Sequence, residues 1–292
     1  MSFAEEYASL MSRRSYSHMV LNGVHYRYLL AGRENAQTVI LLNGGMNCSE
    51  MWMRYVEALS REYQLLLFDY PGECPRIQPM LEAMHDFFGA LGIERPLLVG
   101  ASFGGLVAQL YTQRYPDSVG GLVLISTGAL DRKSLRTLRL KFFFAPLTLW
   151  YMKHSDYEKL KPKLIQVGCN QAKHESPERQ AYAKDMFTSI FADYTKEKDL
   201  HITGLQADLL HQTPVTPEDF AALAGKILLI LPSDDFFSPK MQQSLVELMH
   251  SPERLTIDGG HLSTIFQADR YVQEIQRHGS RVFSTGHPNC VM

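Results

Sequence analysis

The sequence predicts an α/β protein, a mostly parallel β-sheet flanked by helices and carrying one long helical insertion. Two observations predict it. Short runs that are apolar at every position alternate with amphipathic segments, as happens when helices cover both faces of a parallel sheet. That alternation then stops from about Ala129 to Leu223, which reads as helix without a convincing strand, and resumes at Ile227.

Taken in order, Val20 to Leu30 holds an Asn22-Gly23 dipeptide between alternating flanks, a hairpin signal that supplies an antiparallel edge. Val39-Ile40-Leu41-Leu42 then runs into Asn43-Gly44-Gly45, and Gln64 to Phe68 into Asp69-Tyr70-Pro71-Gly72. Leu97-Leu98-Val99 leads into Gly100-Ala101-Ser102, and Leu122 to Ile125 ends at Ser126-Thr127-Gly128. Met80 to Leu91 and Leu106 to Tyr115 are helical patterns between them. Ser176-Pro177-Glu178 and Thr216-Pro217-Glu218 both read as helix starts, with a hydroxyl cap and proline in the first turn. Ile227 to Leu231 ends at Pro232-Ser233-Asp234-Asp235, and Leu255-Thr256-Ile257 precedes Asp258-Gly259-Gly260-His261. The expected layout is a core of 18–128 and 224–278, a helical cap of 129–223, and a loosely held tail of 279–292 with no periodicity.

Composition narrows the function classes. Lys and Arg total 29 against 31 Asp and Glu, so no excess positive charge is present to track nucleic-acid phosphates. No apolar run approaches membrane-spanning length, and Met1 to Arg14 lacks a signal-peptide pattern. Cys48, Cys74, Cys169 and Cys290 are scattered, without CxxC pairs or metal-ligand spacing. The expectation is a cytoplasmic protein of reduced thiols, without metal or cofactor, acting on a small molecule.

Gly100-Ala101-Ser102-Phe103-Gly104 is a GxSxG pattern placed between an apolar strand and a helix. That is the context a nucleophile elbow requires, with glycines two residues either side relieving the crowding of a sharp turn. The helix then aims its N-terminal amides at a reacting oxygen. A serine hydroxyl needs a base, and in this topology the partners follow in the order Ser, acid, His. His261, after two glycines at the end of a strand, is the expected base; Asp234 or Asp235 is the acid. The Phe103 amide and an amide of the Asn43-Gly44-Gly45-Met46 loop, expected to be that of Gly45, would form an oxyanion hole.

Together these residues resemble the α/β-hydrolase superfamily, from about Val20 to Arg277. The resemblance implies an eight-stranded, mostly parallel sheet with a lid over the active site. It also favours Asp235 as the acid, because Pro239 lies four residues on. Within the superfamily, the cap and the short stretch between Tyr70-Pro71 and the elbow look like maspardin-type proteins, in which the late His is replaced; this chain keeps His261. Three positions depart from the usual pattern: Asn43 stands for a His, Pro232 for a Gly, and Cys74 interrupts a Gly-x-Gly run.

Serine at the elbow disfavours the dehalogenase and epoxide-hydrolase chemistries, which use a carboxylate there. The expected activity is hydrolysis of an ester, thioester or lactone through an acyl-enzyme. Carbon–carbon hydrolysis, peptidase or acyl transfer on the same triad, and a non-catalytic adaptor, are the alternatives. Asn43, Gly44, Met46, Phe143, Trp150 and Phe236 are expected to contact substrate. The cluster Phe142 to Leu147 and Leu149 to Met152 would either line the pocket or pack the cap onto the core. Tyr182, Met186 and Ile190, with Phe187 and Phe191, would give a lid helix its buried side.

Overall fold

The apolar runs form one eight-stranded sheet in a computed structural model that describes residues 1–34 and 36–284. Its strands are β1 (Ser17–Leu21), β2 (Val24–Ala31), β3 (Thr38–Leu42), β4 (Gln64–Phe68), β5 (Leu97–Ala101), β6 (Gly121–Ile125), β7 (Ile227–Pro232) and β8 (Glu253–Ile257). Their order is β1-β2-β4-β3-β5-β6-β7-β8. β1 pairs antiparallel with β2, and β2 with β4; every other pair is parallel. The hairpin turn is Asn22-Gly23, with both residues at positive φ (52° and 79°), the twist a two-residue connection demands.

Helices cover both faces. They are α1 (Phe3–Met11), α2 (Met53–Leu59), α3 (Ile77–Ala90), α4 (Phe103–Arg114), α5 (Arg132–Lys141), α6 (Ala145–His154), α7 (Tyr157–Cys169), α8 (Pro177–Ala192), α9 (Lys196–Leu209), α10 (Pro239–Leu248), α11 (Ser263–Phe266) and α12 (Ala268–Ser284). Successive strand residues point to opposite faces, which splits the core in two. Ile40, Leu42, Leu98 and Leu124 pack with α3, α4 and α10. Val39, Leu41, Val99 and Ile125 pack with α1, α2 and α12. Helices α5 to α9 all lie between β6 and β7, where the strand alternation breaks off.

Three elements differ from expectation. Ser2 and Glu5 form a capping box that starts α1, an N-terminal helix the residue pattern had not indicated. Thr216-Pro217 starts a seven-residue 3₁₀ helix, Pro217–Leu223, rather than an α-helix, with Phe220 and Leu223 buried. The segment expected to be loose from Gly279 onward instead continues α12 to Ser284. Tyr271, Val272, Ile275, His278, Gly279 and Val282 form its buried stripe, so packing holds residues whose local sequence is unremarkable. Cys290 and the rest of that expected tail lie outside the described residues.

Candidate active site

Strand β5 ends at Ala101 and α4 begins at Phe103, leaving Ser102 alone at the turn with φ 54° and ψ −118°. This region is sparsely populated for a residue with a Cβ. The local glycines make it possible. A Cβ on Gly100 would collide with the Gly104 carbonyl, and one on Gly104 with the Leu42 carbonyl. The turn is tied to β6, since the Ser102 amide donates to Ile125 O (2.9 Å) and Thr127 Oγ1 donates to Ser102 O (2.8 Å).

Three distant segments meet at this turn. His261 Nε2 lies 3.0 Å from Ser102 Oγ, and His261 Nδ1 lies 2.7 Å from Asp235 Oδ1. With the carboxylate ionised, Nδ1–H donates to Asp235 and Nε2 accepts from the serine hydroxyl. The Asp235 side chain is fully buried, whereas Asp234 is exposed and contributes its backbone amide to Gly259 O at 3.0 Å. Gly259, at φ 131°, turns the chain off β8 so that the imidazole reaches the elbow.

The Asn43 to Met46 loop is oriented by backbone geometry. Gly44 O accepts from the Asn47 amide (3.0 Å). In a trans peptide N–H and C=O point in opposite directions, so the Gly45 N–H faces out of the loop. The Phe103 N–H, in the first turn of α4, has no intrahelical acceptor. Helix α9 and the connection before it hold the other side of the loop: Gln206 Nε2 of α9 donates to Gly45 O (3.0 Å) and the Tyr194 hydroxyl, between α8 and α9, to Met46 O (2.7 Å). Asn43 is fully buried and donates to Phe68 O (2.8 Å), so it ties β3 to β4 and does not face substrate.

Beneath the loop sits a charged cluster. Arg27 bonds Glu50 (2.7 Å) and Asp69 (3.1 Å), and Lys198 of α9 bonds Asp69 (3.3 Å). Burial alone would lower the Lys198 ammonium, but Asp69, Cys48 and Glu50 outweigh it and hold its pKa above the ordinary value. No motif announces this cluster, whose members lie far apart along the chain.

A cavity of about 450 Å³ opens onto Ser102 and His261, with Gly44, Gly45 and Met46 in its wall. Met51, Trp52, Phe187, Phe191, Leu262 and Ile265 make it largely apolar. The α8 face read from the sequence thus supplies two wall residues. Its polar members, Gln171, Asp199, Thr203 and Gln206, carry no motif and were not anticipated. Burial pushes the Asp199 carboxyl above its usual range, although the Tyr157 hydroxyl donates to it at 3.1 Å. Ser126 Oγ, also in the wall, is buried without a hydrogen-bond partner among the described residues.

Phe143, Trp150 and Phe236 are not in that wall, contrary to expectation. Phe143, in the turn between α5 and α6, and Trp150 of α6 project into solvent; among the described residues of α6, Leu149 and Met152 are the ones turned inward. Phe236 is exposed too; its ring lies edge-on beside His261 with centroids 6.1 Å apart. Among the described residues, no group of three His, Cys, Asp or Glu could hold a metal ion, and no helix is long and apolar enough to cross a membrane.

Comparison with known proteins adds four findings. A family model described as alpha/beta hydrolase fold matches residues 37–268. The proline iminopeptidase PfmaB of Pestalotiopsis fici is 22% identical over 279 residues, covering 88% of this chain and 97% of that protein. The 2-hydroxy-6-oxononadienedioate/2-hydroxy-6-oxononatrienedioate hydrolase of Paraburkholderia phymatum is 35% identical over 118 residues, which are 36% of this chain and 40% of that one. In fold, the chain is similar to the enol-lactonase from Burkholderia xenovorans, with a TM-score of 0.71 and 18% identity over 90% of this chain and 100% of that chain.

Proposed function

The chain belongs to the α/β-hydrolase family, and from that premise we propose that it is a serine hydrolase acting on a carboxylic ester, thioester or lactone. One observation carries the reading: the unbroken hydrogen-bonded series Ser102–His261–Asp235 at the mouth of an apolar cavity. Ser102 Oγ attacks the carbonyl carbon while its proton passes to His261 Nε2. Asp235 keeps the ring in the right tautomer and stabilises the imidazolium. The Phe103 and Gly45 amides receive the oxyanion. Collapse expels the alcohol or thiol, which takes the proton from His261, and water then repeats the sequence on the acyl-enzyme. The wall of Met51, Trp52, Phe187, Phe191 and Ile265 supports a small, mainly apolar substrate. Free Cys48, Cys74 and Cys169 are in keeping with a cytoplasmic setting.

A specific observation favours a second reading on the same triad. Asp199 lines the cavity, and its side chain accepts a hydrogen bond from a neutral phenol, that of Tyr157, so its carboxylate suits a substrate amine. An aminoacyl ester or a peptide with a free N-terminus would supply one, and PfmaB is a peptidase by name. A fluorophosphonate probe tests the common premise: the protein should be labelled, and Ser102→Ala should not. Folded protein that resists the probe would point instead to a binding role. p-Nitrophenyl esters of graded chain length, run beside aminoacyl p-nitroanilides, then separate the two substrate classes.

A further inference from the structure

Of the twelve large apolar side chains that stand well exposed among the described residues, seven fall within residues 140–151. Phe143 is 71% exposed, Phe144 69%, Leu147 60% and Trp150 59%. A helix of a water-soluble domain normally turns such residues inward, and a contiguous patch of this kind marks a surface with a partner. The patch has a charged border on one side. Arg132, Lys133 and Arg136 of α5 are exposed, and Leu140 continues their stripe one helical turn after Arg136. From Arg132 to Ser155 the sequence contains six Lys and Arg and no Asp or Glu, in a chain whose overall charge is −2.

We propose that α5 and α6 form a docking surface for an anionic phospholipid bilayer, with α6 lying in the interface. Lipid supplies both things the surface lacks, hydrocarbon for the exposed rings and anions for the cations beside them. Trp150 and Tyr151 are the residue types that settle at a headgroup boundary. A second copy of the chain is a poor occupant, because a two-fold contact over this patch would bring like charges together with no acid in the segment to pair them. Docking here has a functional geometry: α6 packs on α9, and α9 contributes Asp199, Thr203 and Gln206 to the cavity wall. An apolar substrate could then pass from lipid to the site across one helix.

The surface does not depend on the hydrolytic reading, so binding is best measured on Ser102→Ala protein, which cannot degrade the lipid. The assay is co-sedimentation with phosphatidylcholine vesicles, with and without phosphatidylglycerol, alongside tryptophan emission. The chain has two tryptophans, and Trp52 is buried, so an emission shift reports Trp150. Binding and a blue shift are expected with phosphatidylglycerol, roughly 10-fold or more weaker without it or in high salt. F144E/L147E and R132E/R136E should each weaken binding by a similar factor while leaving thermal melting unchanged. Should either variant misfold, the lipid and salt comparisons on the parent protein still decide. The proposal is overturned by absence of binding to phosphatidylglycerol vesicles, by binding indifferent to salt and to both well-folded variants, or by a dimer that F144E/L147E dissolves.

Discussion

Ser102 carries a Cβ at φ 54° and ψ −118°, and the strain this implies can be isolated by comparing Ser102→Ala with Ser102→Gly. Both variants remove Oγ and its 3.0 Å contact with His261, so that loss cancels. The remaining difference is the Cβ. A residue held in such a conformation costs about 1–3 kcal/mol. Glycine removes that cost but loses about 0.4–1 kcal/mol more chain entropy than alanine on folding. Ser102→Gly should therefore be more stable than Ser102→Ala by about 0.5–2 kcal/mol. At this chain length that corresponds to a rise in Tm of roughly 1–3 °C. Urea unfolding of both variants, followed by circular dichroism with equal m-values, measures the difference directly. An alanine variant as stable as the glycine one would mean that the elbow is relaxed and that Gly100 and Gly104 hold nothing under strain.

Two further outcomes follow from other residues. Asp235→Asn should lower kcat by roughly 10³–10⁴-fold, through the wrong imidazole tautomer, while Asp234→Asn leaves it within a factor of about three; the reverse ranking in steady-state ester hydrolysis would displace Asp235 as the acid. Glu253 links the start of β8 to Arg277 and Arg281 of α12. Burial alone would raise its carboxyl, but those two arginines hold its pKa below the usual value. A carboxylate depressed in the folded state contributes stability above its unfolded pKa, and that contribution is lost as pH falls through the folded value. Glu253→Gln should thus be less stable by about 1 kcal/mol at pH 7, after discounting for the exposed arginines. The deficit should begin to shrink as pH falls past about 4, near the unfolded carboxylate pKa, and close only below the lower folded value; a deficit unchanged across that range in urea titrations would contradict the assignment.

Period and punctuation made the sheet legible. Runs such as Ile227–Leu231 are apolar at every position because helices cover both faces, and Asn22-Gly23 carries its own turn geometry. The serine elbow could be read for the same reason: its glycines, strand and helix are contiguous, so the constraint they meet is local. The late histidine was legible through Gly259, whose positive φ is needed where the chain leaves β8. The aromatic run from Phe142 to Tyr151 was not. Its composition fits a pocket, a packed helix or an exposed surface equally, and only the docking of α6 through Leu149 and Met152 selects among them.

Local patterning thus determined the sheet, the elbow and the glycine turn that carries His261, because backbone sterics and hydrophobic periodicity act within a few residues of chain. Tertiary structure decided the rest. It placed Asp235 rather than its neighbour against His261, brought Gln206 and Tyr194 onto the Gly45 and Met46 carbonyls, and gathered Arg27, Glu50, Asp69 and Lys198 beneath that loop. These contacts join residues from tens to more than a hundred positions apart, and a charge or amide has no periodicity that announces its partner. Their geometry exists only once the two halves of the core have closed around the sheet.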